Sequence, residues 1–393
     1  MSEWIQTEVG RIPGHWRIQT ASEFCLAVKD GTHDSPKQQE QGEFLVTSRH
    51  ITEGKIDLSK AYRISREEFD KANRRSKVDM WDVLLTMIGT VGEVVLVKED
   101  PSFAIKNIGL FKCGEEGKAR WLTYFLKSPY GRSLVSTRQA GTTQEYITLD
   151  HLRNLPVFIP PGNDQRAIIN VLSSLDDKID LLHRQNKTLE ALAETLFRQW
   201  FVEEAEENGK LGDAATCVRE SIQPDDMSPE TLYVGLEHID RRNIVLTQCG
   251  KADKLASTKF VFAEDDILFG KLRPYFHKVC FAPFQGVCST DILVIRPKEK
   301  RLLAFCLFTC FQKNVVDFSD ISSEGTRMPR TSWEILKDYP IAVPEDEMVA
   351  RFNAVAEPAI HKMKQNQNQI RTLTQLRDTL LPKLMSGEVR VKS

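Results

Sequence analysis

The feature that most constrains this chain is a frame written twice. "GTTQEYITLDHLRNLPVFIPP" begins at Gly141, and "GTRMPRTSWEILKDYPIAVPE" begins at Gly325. Gly141, Thr142, Leu152, Pro156 and Pro160 recur as Gly325, Thr326, Leu336, Pro340 and Pro344, always 184 residues on. The residues just inside the frame share nothing: Thr143-Gln144-Glu145-Tyr146 faces Arg327-Met328-Pro329-Arg330. "DVLLTMIGTVGEVVLV" from Asp82 pairs with "DILFGKLRPYFHKVCFA" from Asp266 at the same offset. "LVTSRHITEGKI" resembles "YVGLEHIDRRNI" and aligns His50 with His238, and "HWRIQTASEF" corresponds more weakly to "NGKLGDAATC". Self-similarity on this scale means one structural unit used twice. The expected layout is a first domain over 1–163, a spacer helix over 164–208, a second domain over 209–346, and a C-terminal helix and tail over 347–393.

Within each copy, β-rich runs such as "GEVVLV" and "DILVIRP" alternate with helical stretches such as "ARWLTYFLKS" and "LLAFCLFTCFQKN". That pattern predicts a mixed α/β (α+β) fold in both domains. The spacer is more regular. Ile168, Leu172, Leu175, Ile179, Leu182, Asn186, Leu189, Ala193, Leu196 and Trp200 step by four and three, the a/d seam of a heptad. Asn186 takes an a position, where a polar residue fixes register. The second helix carries a drifting stripe of Phe352, Val355, Ala359, Met363, Ile370, Leu373, Leu376, Leu380 and Leu384, with Asn366 in its middle. Pro358 should kink that helix or start its regular part. The economical arrangement packs the two helices antiparallel, as a rod of roughly 60 Å at 1.5 Å per residue. Such a rod would relate the two domains by an approximate two-fold axis.

Several functions are excluded by what is missing. There is no GxxxxGK[ST] loop, no GxGxxG after a strand, no HExxH and no GxSxG elbow. "FIPPG" lacks the acidic or amide residue and the aromatic that flank the prolines of amino-methyltransferases. The eight cysteines form no CxxC, and four sit in apolar strings, which reads as buried reduced thiols. No metal site is expected. Asp176-Asp177 reads as a solvated helix face, and Glu264-Asp265-Asp266 as a turn. No apolar run spans a bilayer and the start lacks a signal-peptide layout, so a cytoplasmic protein is expected. Net charge is −2. By segment it is +1 over 1–160, −5 over 161–208, −2 over 209–346 and +4 over 347–393. No segment is a basic block, so any DNA binding must use local clusters.

Two similar domains at a fixed separation suit two short sites on a linear polymer, and DNA half-sites about one turn apart are the natural candidate. Four stretches sharpen this: "DGTHDSP" at Asp30–Pro36, "NKTLEALAETLFRQWFVE" at Asn186–Glu203, "LRDTLLPKLMSGEVRV" at Leu376–Val391, and the Leu155–Ile168 passage with its double proline. Over nearly its whole length the chain resembles the specificity (S) subunit of type I restriction–modification enzymes. The resemblance implies two target-recognition domains reading the halves of a split, asymmetric DNA sequence, with the paired helices setting the spacer. It also implies partners: two modification subunits that use S-adenosylmethionine to methylate adenine N6, and two restriction subunits that use ATP and Mg. This chain would bind no cofactor and would not be catalytic. In one respect it departs from the family pattern, since the second domain has no "DGTHDSP" and Ile222–Thr231 stands in its place. The competing readings are a stand-alone DNA-binding regulator and an enzyme with a divergent site.

Base edges are read by Arg, Lys, Asn, Gln, Asp and Glu, and phosphates by basic and hydroxyl side chains. In the first domain this selects Thr32, His33, Asp34, Ser35, Lys37, Ser48, Arg49, Thr143, Gln144 and Tyr146, with Arg74 and Arg75 for phosphates. In the second it selects Arg241, Arg242, Lys271, Arg273, Tyr275, His277, Arg327 and Arg330. Arg273, Arg327 and Arg330 lead, because an arginine beside Gly or Pro approaches bases closely. His50 and His238, kept in both copies, read as structural. Trp200 reads as core, and Phe201 as a residue that docks a partner.

Overall fold

In the computed structural model of the chain, the described residues are 4–52, 54–141, 145–321 and 329–391. They form two compact units. The first comprises residues 1–177 and 374–393, the second residues 178–373. Each long helix is therefore divided between the units.

The first unit is built on an antiparallel four-stranded sheet in the order Val94–Leu96, Asp82–Thr86, Ile108–Lys112, Ala27–Asp30. Beside it lies a three-stranded sheet of Phe103–Ile105, Glu43–Val46 and Tyr62–Ile64. Every residue of the Asp82–Thr86 strand is buried. Val83 and Leu85 face a core with Trp121, Leu122 and Phe125 of the helix Glu116–Lys127, while Leu84 joins Val46, Ile105 and Leu110 on the other side. Burial on both faces is why this strand reads as a continuous apolar run.

The second unit repeats the plan. Its four-stranded sheet runs Ala215–Val218, Ile292–Pro297, Ile267–Gly270, Val279–Phe281. The registers coincide: Ile108 opposes Thr86 in the first unit, and Ile292 opposes Gly270 in the second. Each central strand begins at the same device. The Asp82 carboxylate accepts from the Asp79 amide at 2.7 Å and pairs with Lys112 at 2.7 Å. The Asp266 carboxylate accepts from the Ala263 amide at 2.7 Å and holds Arg296 through bonds of 2.6 and 2.7 Å. Asp266 is thus the turn residue that its setting suggested. The second flanking sheet is larger, with five strands in the order Ser221–Ile222, Lys259–Phe262, Gly286–Cys288, Leu232–Val234, Gly250–Lys251.

The long helices are Gly162–Arg198, continued by a π-helical turn over Gln199–Glu203, and Asp346–Met385. Within the second unit they run antiparallel. Asn366 Nδ2 donates to Asn186 Oδ1 at 2.8 Å, and Phe197 meets Phe352 with ring centroids 5.8 Å apart. Ile179 and Leu182 pack with Ile370 and Leu373. In the first unit Arg377 reaches Asp176 at 3.0 Å.

The second helix runs from Asp346 through Pro358 to Met385, close to its expected start. Three expectations about side chains on the helices need correction. The heptad seam holds through Leu182, Asn186 and Ala193, with Leu175, Leu189 and Leu196 half-buried. Beyond Ala193 the buried residues are Phe197 and Phe201, and Trp200 is only half-buried, against Phe352 and Arg351. A straight helix drifts off a seven-residue repeat by about 20° per heptad. Here the drift turns the helix toward Phe305 and Phe308 of the helix Leu303–Phe311. Phe201 is therefore core, ringed by Phe197, Phe305 and Phe352, and is not an exposed docking residue. Leu376 is exposed, whereas Leu381, Leu384 and Met385 carry the stripe into the first unit, with Leu380 packed partly buried against them.

All eight cysteines are free thiols. Among the described residues no single helix is long and apolar enough to cross a membrane, and no cluster of side chains suits a metal ion.

Candidate nucleic-acid interface

In the first unit the "DGTHDSP" stretch is stapled to the sheet edge. The strand Ala27–Asp30 ends in Asp30, whose carboxylate is almost wholly buried yet touches two partners, Arg75 Nη2 at 2.5 Å and His33 Nε2 at 2.9 Å. Gly31 must be glycine, because a Cβ there would lie 2.5 Å from the Ile105 carbonyl oxygen. Thr32 donates its amide to that same carbonyl at 3.0 Å, and its hydroxyl accepts from the Asp34 amide at 3.1 Å. His33 stays more than half exposed, with Nδ1 2.8 Å from Asn107 Oδ1. Lys106 donates to Ser35 at 2.7 Å, and Lys71 pairs with Asp34 at 3.0 Å.

Arg74 and Arg75 occupy the last turn of the helix Arg66–Ser76, where the Ser65 hydroxyl caps the start and Glu67 and Glu68 fill the first turn. That is the charge order a helix dipole favours, and Arg74 remains exposed. Thr32, His33, Asp34, Ser35 and Arg75 therefore form one cluster. Asp30, Lys71, Lys106 and Asn107 complete it. Asp30 lay inside the quoted motif, and Asn107 sits 184 residues before Asp291. Lys37 is exposed. Ser48 and Arg49 sit on a separate turn, which His50 fixes by accepting the Thr47 amide at 3.0 Å. His238 does the same with the Gly235 amide at 2.9 Å, so the paired histidines are structural.

The second group surrounds the hairpin that follows each central strand. In the first unit Ile88 bridges Tyr146, and in the second Leu272 bridges Arg330. Gly89 N–H donates to the Glu145 carbonyl at 3.1 Å, and Arg273 N–H to the Pro329 carbonyl at 2.8 Å. Ile147 N–H reaches the Met87 carbonyl at 2.9 Å, and Thr331 N–H the Lys271 carbonyl at 3.0 Å. Each of these pairs is related by the offset of 184. The frame is conserved in its backbone bonds, while Tyr146 exchanges for Arg330. Both side chains are exposed.

The hairpin turn of the second unit, residues 271–278, is basic, aromatic and strained. Arg241 lies 3.8 Å over the Phe276 ring and Arg273 5.9 Å from it, and Tyr275 is half exposed. Lys271 donates to the Thr290 carbonyl at 2.8 Å, Lys278 to the Leu236 carbonyl, and Arg330 approaches Asp291 at 3.4 Å. Arg242, Arg273 and His277 all have φ near +50°. Left-handed backbone costs a non-glycine residue about 1–2 kcal/mol, and such strain gathers at functional sites. The Arg242 amide donates to the His277 carbonyl, which joins two of the three.

His277 does not face DNA. It is buried, its Nε2 bonds the Phe311 carbonyl at 2.8 Å, and burial lowers its pKa. It supports the turn from below. Thr143, Gln144 and Arg327 lie outside the described residues.

Two copies of one α/β unit, each carrying a polar, variable turn on a constant frame, define a duplicated recognition protein. Residues 13–191 match the type I restriction modification DNA specificity domain. The whole chain is similar to the MjaIX specificity subunit of Methanocaldococcus jannaschii, at 24% identity over 100% of this chain and 97% of the relative. Similarity to the HindI specificity subunit of Haemophilus influenzae is 22% over 65% of this chain and 73% of that one. The S subunit of a type I system from M. genitalium has the same fold, with a TM-score of 0.59 and 15% identity over 97% of both chains. Residues 13–191 thus carry a type I restriction modification DNA specificity domain, and the relatives that resemble the chain are type I specificity subunits.

Proposed function

We propose that each unit reads one half of a bipartite, asymmetric DNA target. The long helices set the spacer between the halves and dock two modification subunits. This chain is non-catalytic and binds no cofactor. S-adenosylmethionine belongs to the modification subunits, which methylate adenine in the target, and ATP and Mg belong to two restriction subunits. The observation that carries this reading is the twinned hairpin frame. Identical backbone bonds hold unlike exposed side chains, as expected when one scaffold is kept and its ligand preference is changed. The first unit offers Asn107, His33 and Tyr146. The second offers Arg273, Arg330 and Lys271, the residue types that read guanine.

The test is co-expression of the chain with its modification subunit in an unmethylated host, followed by methylation-aware sequencing. A single bipartite motif with adenine methylation is expected, and none from the chain alone. Methylation by the isolated chain would overturn the non-catalytic assignment. Arg330→Ala should relax one base pair of one half-site, at a cost of about 1–3 kcal/mol in discrimination. An intact motif would demote Arg330 to framework.

A further inference from the structure

We propose that Arg273 is a specificity-determining residue that reads a guanine in the second unit's half-site, at the position where the first unit has Gly89. The proposal rests on the reading above, in which each unit contacts one half-site.

Three observations single out Arg273. Its backbone sits at φ +51°, and the equivalent Gly89 sits at φ +78°. The same left-handed turn is thus built with glycine in one copy and arginine in the other, with the matching amide bond in both, to Glu145 and to Pro329. Glycine is the residue the backbone favours there. Second, Arg273 Nε is buried and, among the described residues, has no hydrogen-bond partner. A buried donor left unpaired is costly and calls for an explanation. Both costs vanish with glycine, and the contact the free protein would lose is one long approach of Arg273 to the Phe276 ring, 5.9 Å from its centroid. Third, the equivalent position in the first unit is open: among the described residues, a Cβ on Gly89 would meet no atom within 4 Å. An arginine projecting from this turn next to Phe276, Tyr275 and Arg330 can present its forked donors to the two acceptors of a guanine edge.

A purely structural Arg273 and a base-reading Arg273 predict opposite outcomes for one substitution. In Arg273→Gly the strain and the unpaired donor are removed together. Thermal unfolding of the purified full chain should occur at the same or a higher temperature than wild type. In cells carrying the modification subunit, the methylated motif should become degenerate at one base pair of one half-site, where wild type requires guanine. The other half-site and the spacer should stay as they are. The lost preference should be about 5- to 150-fold, the worth of one bidentate base contact. Arg273→Lys keeps the charge without the fork, and it should relax the same base pair while total methylation persists. Gly89→Arg should add a preference to the first half-site.

An unchanged motif in Arg273→Gly would overturn the proposal. So would a lower unfolding temperature with methylation lost everywhere, which marks Arg273 as framework. If wild type itself yields no bipartite methylated motif, the functional reading fails first, and that result is distinct from either of these.

Discussion

His277 shows how a residue can sit among binding candidates and still serve the fold. Its pKa is lowered mainly by burial, helped by the nearby Arg242 and Lys313 charges and opposed by the Phe311 carbonyl and Asp317. The folded state therefore holds the neutral ring more strongly than the unfolded chain does. The sign follows from linkage. Above the unfolded value of about 6.5 neither state takes the proton and stability is full, and as pH falls below it the unfolded state is protonated first and stability is lost. Asparagine tolerates the left-handed backbone at this position but does not titrate. His277→Asn should be less stable than wild type at pH 7.5, and the gap should narrow by pH 5 in thermal unfolding of the full chain. Parallel pH profiles would remove His277 titration from the account. The sequence placed His277 beside Arg273 and Tyr275, but linear adjacency does not reveal which side chain of this turn packs inward, here onto the Phe311 carbonyl. The proline beside Arg273 marks it in the sequence, whereas its structural equivalence to Gly89 lies in matching backbone bonds.

At the scale of elements, periodicity served well where one neighbour dominates and failed where a second intrudes. The seam from Ile179 to Ala193 packs as its heptads imply. Past Ala193 the Leu303–Phe311 helix competes for the same face, and Phe197 and Phe201 replace Leu196 and Trp200 as the buried set. The polar layer at Asn186 and Asn366 was legible from both stripes, and its pairing makes a further prediction. The two amides are nearly buried, joined at 2.8 Å, and Asn366 Oδ1 has no partner among the described residues. Asn366→Leu alone strands the Asn186 amide and should cost about 1–3 kcal/mol. Replacing both by Leu should recover most of that loss, at the expense of register. Urea unfolding of the two single variants and the double variant gives the coupling, and simple additivity would show that the pair does not act as a unit. Just beyond this layer, Glu190 accepts the Ile244 amide at 3.0 Å and Gln367 donates to the Thr247 carbonyl at 3.0 Å. The helices of the second unit are thereby pinned to its recognition sheets. Such side-chain-to-backbone ties leave no periodic trace in a sequence.

For the whole molecule, duplication is the organising fact, and it was legible because the 184-residue offset holds through strands, turns and caps alike. What the offset does not convey is the assignment of helix halves: each long helix begins in one compact unit and ends in the other. If each unit reads one half-site, the two long helices are, among the described residues, the elements whose length both units share, and the spacer should depend on it. Excising Ile179–Gln185 together with Gln367–Leu373 removes one heptad from each helix and preserves the facing pattern of the remainder. The loss is about 10 Å of helix, close to three base pairs. Three base pairs also turn the duplex by roughly 100°, given 10–10.5 base pairs per turn, so the second half-site would face a different direction. The shortened chain cannot simply slide one unit along the groove. Methylation at the native spacer should therefore disappear while the sheets that carry Arg273 and Arg330 stay folded, with a lower unfolding temperature because the Ile179, Leu182, Ile370 and Leu373 packing and the Gln367–Thr247 bond are lost. Methylation that persists at the native motif with its native spacer would show that something other than these helices fixes the distance.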